Sequence, residues 1–194
     1  MFEHLFKYIE QKSGLELTDE EKELIEMKFR IKRLKRKQYL YQEGEICKHM
    51  SFVVKGAARM YSVDEKGQEH IIRFGMEGWW LGDYESYILQ TPTRFYVEML
   101  ENTDLLIASR NDVQELIAAV PAVTETIKII DKRNAIAIQQ RIHAAISLTA
   151  EERLESLMNS HPDFLQRFPQ IMIASYLGIS AETLSRLKKK IIYR

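Results

Sequence analysis

Side chains near the C-terminus have the types and the spacing that can read DNA bases. Glu182 and Arg186 lie four residues apart, so a helix would present them on one face. A glutamate accepts a hydrogen bond from the cytosine amino group, and an arginine bonds guanine through two of its nitrogens. We predict that these two residues read bases and that the neighbouring lysines contact phosphate groups. The full set of candidate DNA contacts is Ser180, Ala181, Glu182, Thr183, Ser185, Arg186, Lys188, Lys189 and Lys190.

The stretch Gln170–Lys190 that carries these side chains predicts a helix-turn-helix. Gly178 suits the left-handed conformation that often ends a helix, and Ser180 is typical of the N-cap of a second helix. The alternative is a solvated amphipathic helix with a basic end, because cations also complement a helix C-terminus. That alternative does not explain the spacing of the apolar and small residues Ile173, Ala174, Leu177, Ile179, Leu184 and Leu187.

Any affinity of this chain for nucleic acid must come from a local cluster of cations. The net charge of the whole chain is zero, which excludes binding of polyanions by bulk charge. The end of the chain has no acid among its cations Arg186, Lys188, Lys189, Lys190 and Arg194, and such a cluster suits phosphate contacts. An earlier basic run, Lys32–Lys37, is expected to be a solvated lead-in to a strand.

The segment Ile179–Lys189, ISAETLSRLKK, resembles the recognition helix of the Crp/Fnr family of bacterial transcription regulators. The usual family pattern there is Ser-Arg-Glu-Thr, a hydrophobic residue, Ser or Gly, and Arg. Ala181 stands where many members have an arginine that reads bases. The resemblance therefore implies DNA binding, but not the usual half-site of the family. The matching residues are Ser180, Glu182, Thr183, Ser185 and Arg186.

Between Gln38 and Ser109 the apolar pattern has a period of two, in short runs separated by glycines and turns. Several strands at such spacing predict a sandwich or a barrel. Three segments, Tyr41–Glu45, Ser51–Gly56 and Gly78–Asp83, resemble the Crp/Fnr sensor domain, a jelly roll of the cyclic-nucleotide-binding type. The fold class we predict is α+β, with an N-terminal antiparallel β jelly roll, a long dimerisation helix and a C-terminal helix-turn-helix domain. Because the chain stops at Arg194, the wing that usually follows this motif in the family is expected either to be short or absent or to lie beyond the given sequence.

The resemblance also locates a possible effector pocket, formed by Trp80, Gly82, Asp83, Thr93 and Arg94. In cyclic-nucleotide binders a Gly-Glu pair holds the ribose and an Arg-Ser pair holds the phosphate. Here Gly82-Asp83 replaces Gly-Glu with a shorter acid, and Arg94 is displaced by one residue, which turns a strand side chain to the opposite face. We therefore expect no control by cAMP and assign no cofactor. The aromatic residues nearby line either a pocket for a more apolar ligand or the core.

Helices flank the strands. Residues 1–35 are expected to be helical, and Asn111 with Gln114 resembles a capping box. The long helix 122–145 has apolar residues alternating four and three apart, as in a two-stranded coiled coil with an asparagine in the seam. The alternative is a helix packed on its own sensor, which the extra residues Ile129, Ile136 and Ile138 favour for part of it. The predicted dimer interface is Val123, Ile127, Ile130, Asn134, Ala137 and Arg141.

Composition bounds the remaining possibilities. The single cysteine, Cys47, excludes a disulfide within the chain and an iron–sulfur cluster held by one chain. The scattered histidines argue against a metalloenzyme of the cupin type, so neither catalytic residues nor metal ligands are assigned. The sequence shows no membrane segment or signal peptide.

We expect a cytoplasmic regulator, not an enzyme, with residues 1–120 as sensor, 121–146 as dimer helix and 147–194 as DNA reader. Its expected partners are double-stranded DNA, a second copy and RNA polymerase, and the alternative is a protein-interaction adaptor or small-molecule sensor that has lost DNA binding.

Overall fold

The computed structural model describes residues 1–192, so Arg194 of the basic cluster lies outside the described residues. The chain divides into two compact units. The first consists of Met1–Ser62 and Arg73–Lys132, and the second of Val63–Ile72 and Arg133–Arg194. The domain bounds predicted from the sequence stay a prediction. Among the helices of residues 1–192, none combines the length and the apolarity that crossing a membrane requires.

The first unit begins with two helices, α1 (Phe2–Ser13) and α2 (Asp19–Lys28). Gly14 ends α1 with a φ of 74°, a conformation that glycine adopts without strain. A capping box opens α2, because the Thr18 hydroxyl accepts from the Glu21 N–H at 3.2 Å and the Glu21 carboxylate accepts from the Thr18 N–H at 2.9 Å. The local sequence therefore defines both ends of the loop between the two helices.

The segment Arg30–Leu34 is strand β1, and the helical prediction for residues 1–35 is wrong there. The strand pairs antiparallel with a distant strand, with Arg30 opposite Ile107 and Leu34 opposite Thr103. This pairing satisfies its backbone groups over a sequence distance that a local pattern does not report. Because β1 lies at the edge of its sheet, its charged side chains also discourage pairing with other chains.

Within residues 1–192 the strands form two four-stranded sheets, in the orders β1-β8-β3-β6 and β2-β7-β4-β5. The strands after β1 are β2 (Tyr39–Tyr41), β3 (His49–Lys55), β4 (Ala58–Val63), β5 (Glu69–Gly75), β6 (Trp80–Leu81), β7 (Tyr96–Met99) and β8 (Thr103–Ser109). Strand β8 pairs antiparallel with both β1 and β3, and β7 pairs antiparallel with both β2 and β4. The predicted jelly roll is confirmed.

Alternating side chains of β3 separate two apolar cores. Val53 packs inside the roll with residues of both sheets, including Ala58, Val97 and Leu105. Phe52, its neighbour, faces the opposite way and packs against the helices that cover the first sheet. Those helices contribute Leu5, Phe6, Ile9, Ile25, Val113, Leu116 and Val123 to the second core.

Helix α3 (Tyr84–Leu89) lies between β6 and β7, and α4 (Arg110–Ala119) and α5 (Pro121–Ser147) follow β8. The cap of α4 is Ser109 instead of the predicted Asn111, because the Ser109 hydroxyl accepts from the Asp112 N–H at 3.2 Å and donates to the Asp112 carboxylate at 2.5 Å. The helix α5 is 27 residues long and spans the predicted dimer helix.

The second unit contains a hairpin tip and the C-terminal helices. The tip, Val63–Ile72, connects β4 to β5 through a tight turn at Asp64–Gly67, where the Gly67 N–H donates to the Asp64 carbonyl at 2.9 Å. The helices after α5 are α6 (Ala150–Ser160), α7 (Phe164–Arg167), α8 (Gln170–Leu177) and α9 (Ala181–Ile192). Their buried side chains are Leu154, Leu157, Phe164, Phe168, Ile173, Ala174, Leu177 and Leu184.

Candidate nucleic-acid interface

The helices α8 and α9 form the helix-turn-helix that the sequence predicted. Gly178 joins them with a φ of 67°, and the Ile179 N–H donates to the Ala174 carbonyl at 3.0 Å. Ala174 is 2 % exposed and Leu184 is fully buried, so a small residue and a large one pack where the two helices meet. This packing fixes the angle at which α9 leaves the turn.

Hydrogen bonds at the start of α9 use the hydroxyl groups of the predicted contact set. The Ser180 hydroxyl accepts from the Thr183 N–H at 3.2 Å, as an N-cap does, and lies 3.1 Å from the Thr183 hydroxyl. Arg186 donates to the same Thr183 hydroxyl at 3.4 Å. These contacts order the first turn and restrain the arginine before any ligand is present.

One face of α9 remains open to solvent. Glu182, Ser185, Arg186 and Lys189 are exposed, and their spacing of three and four residues places them together along the helix. The backbone N–H of Glu182 and the hydroxyl of Ser180, with a smaller effect of Arg186, lower the pKa of the Glu182 carboxyl. The glutamate is therefore an ionised acceptor at neutral pH, next to an arginine that presents donors. We call these four residues the reading face.

Other members of the predicted contact set lie elsewhere. Lys190 forms an ion pair with Glu151 of α6, with its Nζ 2.5 Å from the carboxylate. Ala181 and Lys188 are half-buried at the sides of α9. The structure therefore brings the predicted base-reading pair and Lys189 together, and holds Lys190 in a contact within its own unit.

The possible effector pocket contains a closed polar cluster. The Thr93 hydroxyl donates to the Asp83 carboxylate at 2.8 Å, and the other carboxylate oxygen accepts from the Glu85 N–H at 3.0 Å. The Thr93 hydroxyl also accepts from the Phe95 N–H at 3.1 Å. Thr93 and Asp83 are 3 % and 9 % exposed. Asp83 therefore caps α3 and bonds Thr93, which is not the arrangement of a carboxylate open to a ribose.

The rest of the predicted pocket is separated or crowded. Gly82 has a φ of 133°, which favours glycine, and a Cβ atom there would make a tight contact of 3.0 Å with the sulfur of Cys47. Arg94 is exposed. Trp80 packs among the rings of Tyr8, Phe29 and Phe52, and the apolar cavity beside it measures ≈ 20 Å³. That volume holds about one water molecule.

The predicted dimer residues of α5 lie in four different settings. Val123 is 8 % exposed and belongs to the core of its own unit, and Ile127 packs against the same core. Ile130 and Asn134 are half-buried, and Ala137 is exposed. Arg141 donates to the carbonyl of Ile72 in the hairpin tip.

Part of α5 differs from what its sequence predicts. Ile136 and Ile138, which were expected to pack on the sensor, are 54 % and 61 % exposed. Ile142 and Ile146, which the sequence analysis did not single out, are 56 % and 79 % exposed. Their spacing of four residues was the available signal, and it favours a face different from the predicted seam.

Comparisons with known proteins agree with this architecture. Residues 31–120 match the family described as the cyclic nucleotide-binding domain. Over 169 residues the chain is 24 % identical to the electron transport regulator A of Shewanella oneidensis and 27 % identical to the fumarate and nitrate reduction regulatory protein of Yersinia pestis. Both alignments cover 81 % of this chain and 67 % of the relative. The fold is similar to that of FixK2 from Bradyrhizobium japonicum, with a TM-score of 0.71 and 18 % identity over 85 % of each chain. At that identity the structural likeness shows the fold alone.

Proposed function

We propose that this chain, which belongs to the Crp/Fnr family of regulators, is a transcription regulator that binds DNA as a homodimer. The observation that carries the proposal is the reading face, an ionised acceptor and an arginine one helical turn apart on the exposed side of α9. The major groove admits a helix and presents donors and acceptors that differ for each base pair. Arg186 would bond a guanine, and Glu182 would accept from a cytosine.

Lys189 is the cation best placed for a phosphate contact. It lies about one turn beyond Arg186 and two turns beyond Glu182 on the same exposed face. Lys188 lies at the side of the helix, where a groove wall would pass. Lys190 would contact phosphate only after leaving Glu151, so we expect it to contribute less than Lys189. Ser185 lies between the two base-reading residues, and Ala181 offers no hydrogen bond, which reduces the number of bases read from each half-site.

A second copy of the chain is the partner that the exposed side of α5 fits. Ile138, Ile142 and Ile146, which we call the isoleucine stripe, recur every four residues on one side of the helix. Exposed apolar rows of this kind mark interaction surfaces, and a symmetric dimer buries the same row on both copies. Compared with the predicted seam, the stripe leaves Val123 in its own core and Arg141 at the hairpin tip.

The sensor half would respond to a signal other than cAMP. The support is the bond between Asp83 and Thr93, which uses the carboxylate at the position where cyclic-nucleotide binders hold the ribose. We place the protein in the cytoplasm as a regulator rather than an enzyme, with RNA polymerase as the partner through which bound DNA affects transcription.

Selection of genomic DNA fragments by the purified protein tests the proposal. We expect enriched fragments to share an inverted repeat whose half-sites lie about one helical turn apart, because two α9 helices of a dimer enter successive major grooves. Arg186→Ala is the matched control and should weaken the enrichment and relax the repeat at one base position of each half-site. Recovery of fragments without a shared sequence, or no recovery at all, would contradict the proposal and favour an adaptor.

A further inference from the structure

The hairpin tip of the roll forms part of the same compact unit as the helix-turn-helix. Val63–Ile72 groups with the chain from Arg133 onward, although its neighbours in sequence belong to the other unit. Strand β5, which leaves this tip, lies at the edge of its sheet. An edge strand has backbone groups that its own sheet does not pair, so they require partners from elsewhere.

Ser175 of α8 supplies such partners. Its hydroxyl accepts from the Ile71 N–H at 3.0 Å and donates to the Glu69 carbonyl at 3.2 Å. One side chain of the helix-turn-helix therefore satisfies a donor and an acceptor on the same side of the edge strand. Because α8 packs directly on α9, a constraint on α8 is also a constraint on the recognition helix.

Arg141 of α5 makes a second set of contacts at the same place. Its guanidinium donates to the carbonyl of Ile72 and to the carbonyl of Ile71, the latter at 3.3 Å. The same group lies 4.4 Å from the ring centre of Tyr176, the residue after Ser175. A planar guanidinium can bond two acceptors and stack on an aromatic ring at once, which a lysine cannot do. Arg141 thus joins the long helix, the hairpin tip and the helix-turn-helix.

These contacts leave DNA reading possible. Glu182, Arg186 and Lys189 stay exposed while Ser175 and Arg141 bond the hairpin tip. The contacts therefore fix the position of the helix-turn-helix without covering the surface that would enter the groove.

We propose that Arg141 is a positioning residue for DNA reading, which with Ser175 fixes α8 to the edge strand of the hairpin tip and thereby sets the orientation of the recognition helix. The proposal rests on the proposed function for its effect on DNA, but the contact itself exists without DNA. Coupling between two sites is reciprocal, so DNA that binds the fixed orientation should also strengthen the contact at the hairpin tip.

The first test is operator affinity measured by fluorescence anisotropy at several salt concentrations. Arg141→Gln should weaken binding by roughly 5-fold or more, the lower end of typical couplings between linked sites. Arg141→Lys should behave like Arg141→Gln, because the charge alone does not replace two carbonyl bonds and a stacked ring. Arg133→Gln, which removes an exposed arginine earlier on the same helix, should bind like the unaltered protein.

The salt dependence separates positioning from direct contact with DNA. Loss of a phosphate contact reduces the salt slope by about one unit, whereas a positioning residue leaves the slope unchanged. Full rescue by Arg141→Lys, or a reduced salt slope for Arg141→Gln, would overturn the proposal by making Arg141 a DNA contact. Tighter binding by Arg141→Gln would also overturn it, since the contact would then be inhibitory.

The second test is hydrogen exchange of the Ile71 amide, and it needs no DNA. Ser175→Ala and Arg141→Gln should both speed this exchange in the free protein, while Arg133→Gln should not. Operator DNA should slow the exchange in the unaltered protein. If both variants leave the exchange unchanged, the proposal fails even though DNA binding stands. If no DNA binds but the exchange responds as expected, the contact stands and the proposed function fails.

Discussion

The two polar clusters of this chain differ in where their hydrogen-bonding groups are directed. In the sensor roll, Asp83 and Thr93 bond each other and the nearby backbone, and both are buried. On α9, Glu182 and Arg186 are four residues apart and exposed. The first arrangement stabilises a loop and a helix start, and the second is available to a ligand.

This contrast illustrates why a shared fold does not by itself identify a ligand. Residues 31–120 match the cyclic nucleotide-binding domain, and the roll consists of two four-stranded sheets within the described residues 1–192. The polar atoms at the nucleotide position are nevertheless occupied within the chain. Because a fold does not fix a function, we expect the function to depend on the groups that remain available, which are those of the reading face.

The largest effect should come from separating the two copies, since a palindromic operator requires two reading faces. Replacing Ile138 and Ile142 together with Asp should produce monomers and eliminate operator binding, because each unpaired charge buried at an interface costs about 3–5 kcal/mol. Sedimentation of the double variant measures the oligomeric state. Ile136→Asp is the matched control, because Ile136 is also exposed but does not belong to the stripe. A dimer that survives the double substitution would show that the stripe is not the interface.

The contribution of the bond between Thr93 and Asp83 to stability is tested by removing the Thr93 hydroxyl. Thr93→Val removes the donor to the buried Asp83 carboxylate and should lower the free energy of unfolding by about 1–3 kcal/mol, the usual cost of an unsatisfied buried group. Denaturant titration of the protein measures this change in unfolding free energy. Thr93→Ser keeps the hydroxyl and should retain most of the stability. An unchanged unfolding free energy for Thr93→Val would mean that the cluster does not stabilise the roll.

Titration with cyclic nucleotides tests whether the cluster of Asp83 and Thr93 is available to a ligand. Calorimetry with cAMP and with cGMP should show no binding heat, because Asp83 is bonded to Thr93 and Arg94 is exposed. A micromolar dissociation constant for either nucleotide would contradict the contrast between the two clusters. It would show that Arg94 reaches the phosphate after a rearrangement.

The smallest expected effect is on how the unfolding free energy of the unit that contains the reading face depends on pH. Burial lowers the pKa of His161, whose ring stacks on Phe164 with centroids 4.5 Å apart. The unfolded chain therefore binds a proton at a higher pH than the folded one, and the unfolding free energy should fall as the pH drops below about 6.5. His161→Gln should reduce this slope, as measured by denaturant titration across that range. A slope that is the same in both proteins would show that His161 does not contribute.

Much of the fold could be predicted because local chemistry determines it. Thr18 with Glu21 and Thr149 with Glu152 form capping boxes, which depend only on residues three apart in the sequence. Gly178 ends α8 as expected. Strand β1 could not be predicted, because its assignment depends on pairing with Thr103–Ser109 far along the chain.

The candidate site was predictable only where one helix determines it. Glu182 and Arg186 share a face by helical geometry alone. The pairing of Lys190 with Glu151, the bonding of Asp83 to Thr93 and the contacts of Arg141 each join residues from different elements. Sequence spacing reports which side chains share an element, but it does not report which neighbour that element meets. The predicted dimer seam included Arg141 for this reason.

The most direct test of the central claim is a binding series across single-base variants of a selected operator, with Arg186→Ala and Lys189→Ala compared at several salt concentrations. Arg186→Ala should cost about 1–3 kcal/mol per half-site and relax the preference at one base position. Lys189→Ala should weaken all sequences alike and reduce the salt slope by about one unit. If Arg186→Ala weakens every sequence equally while Lys189→Ala alters base preference, the reading face does not work as described here.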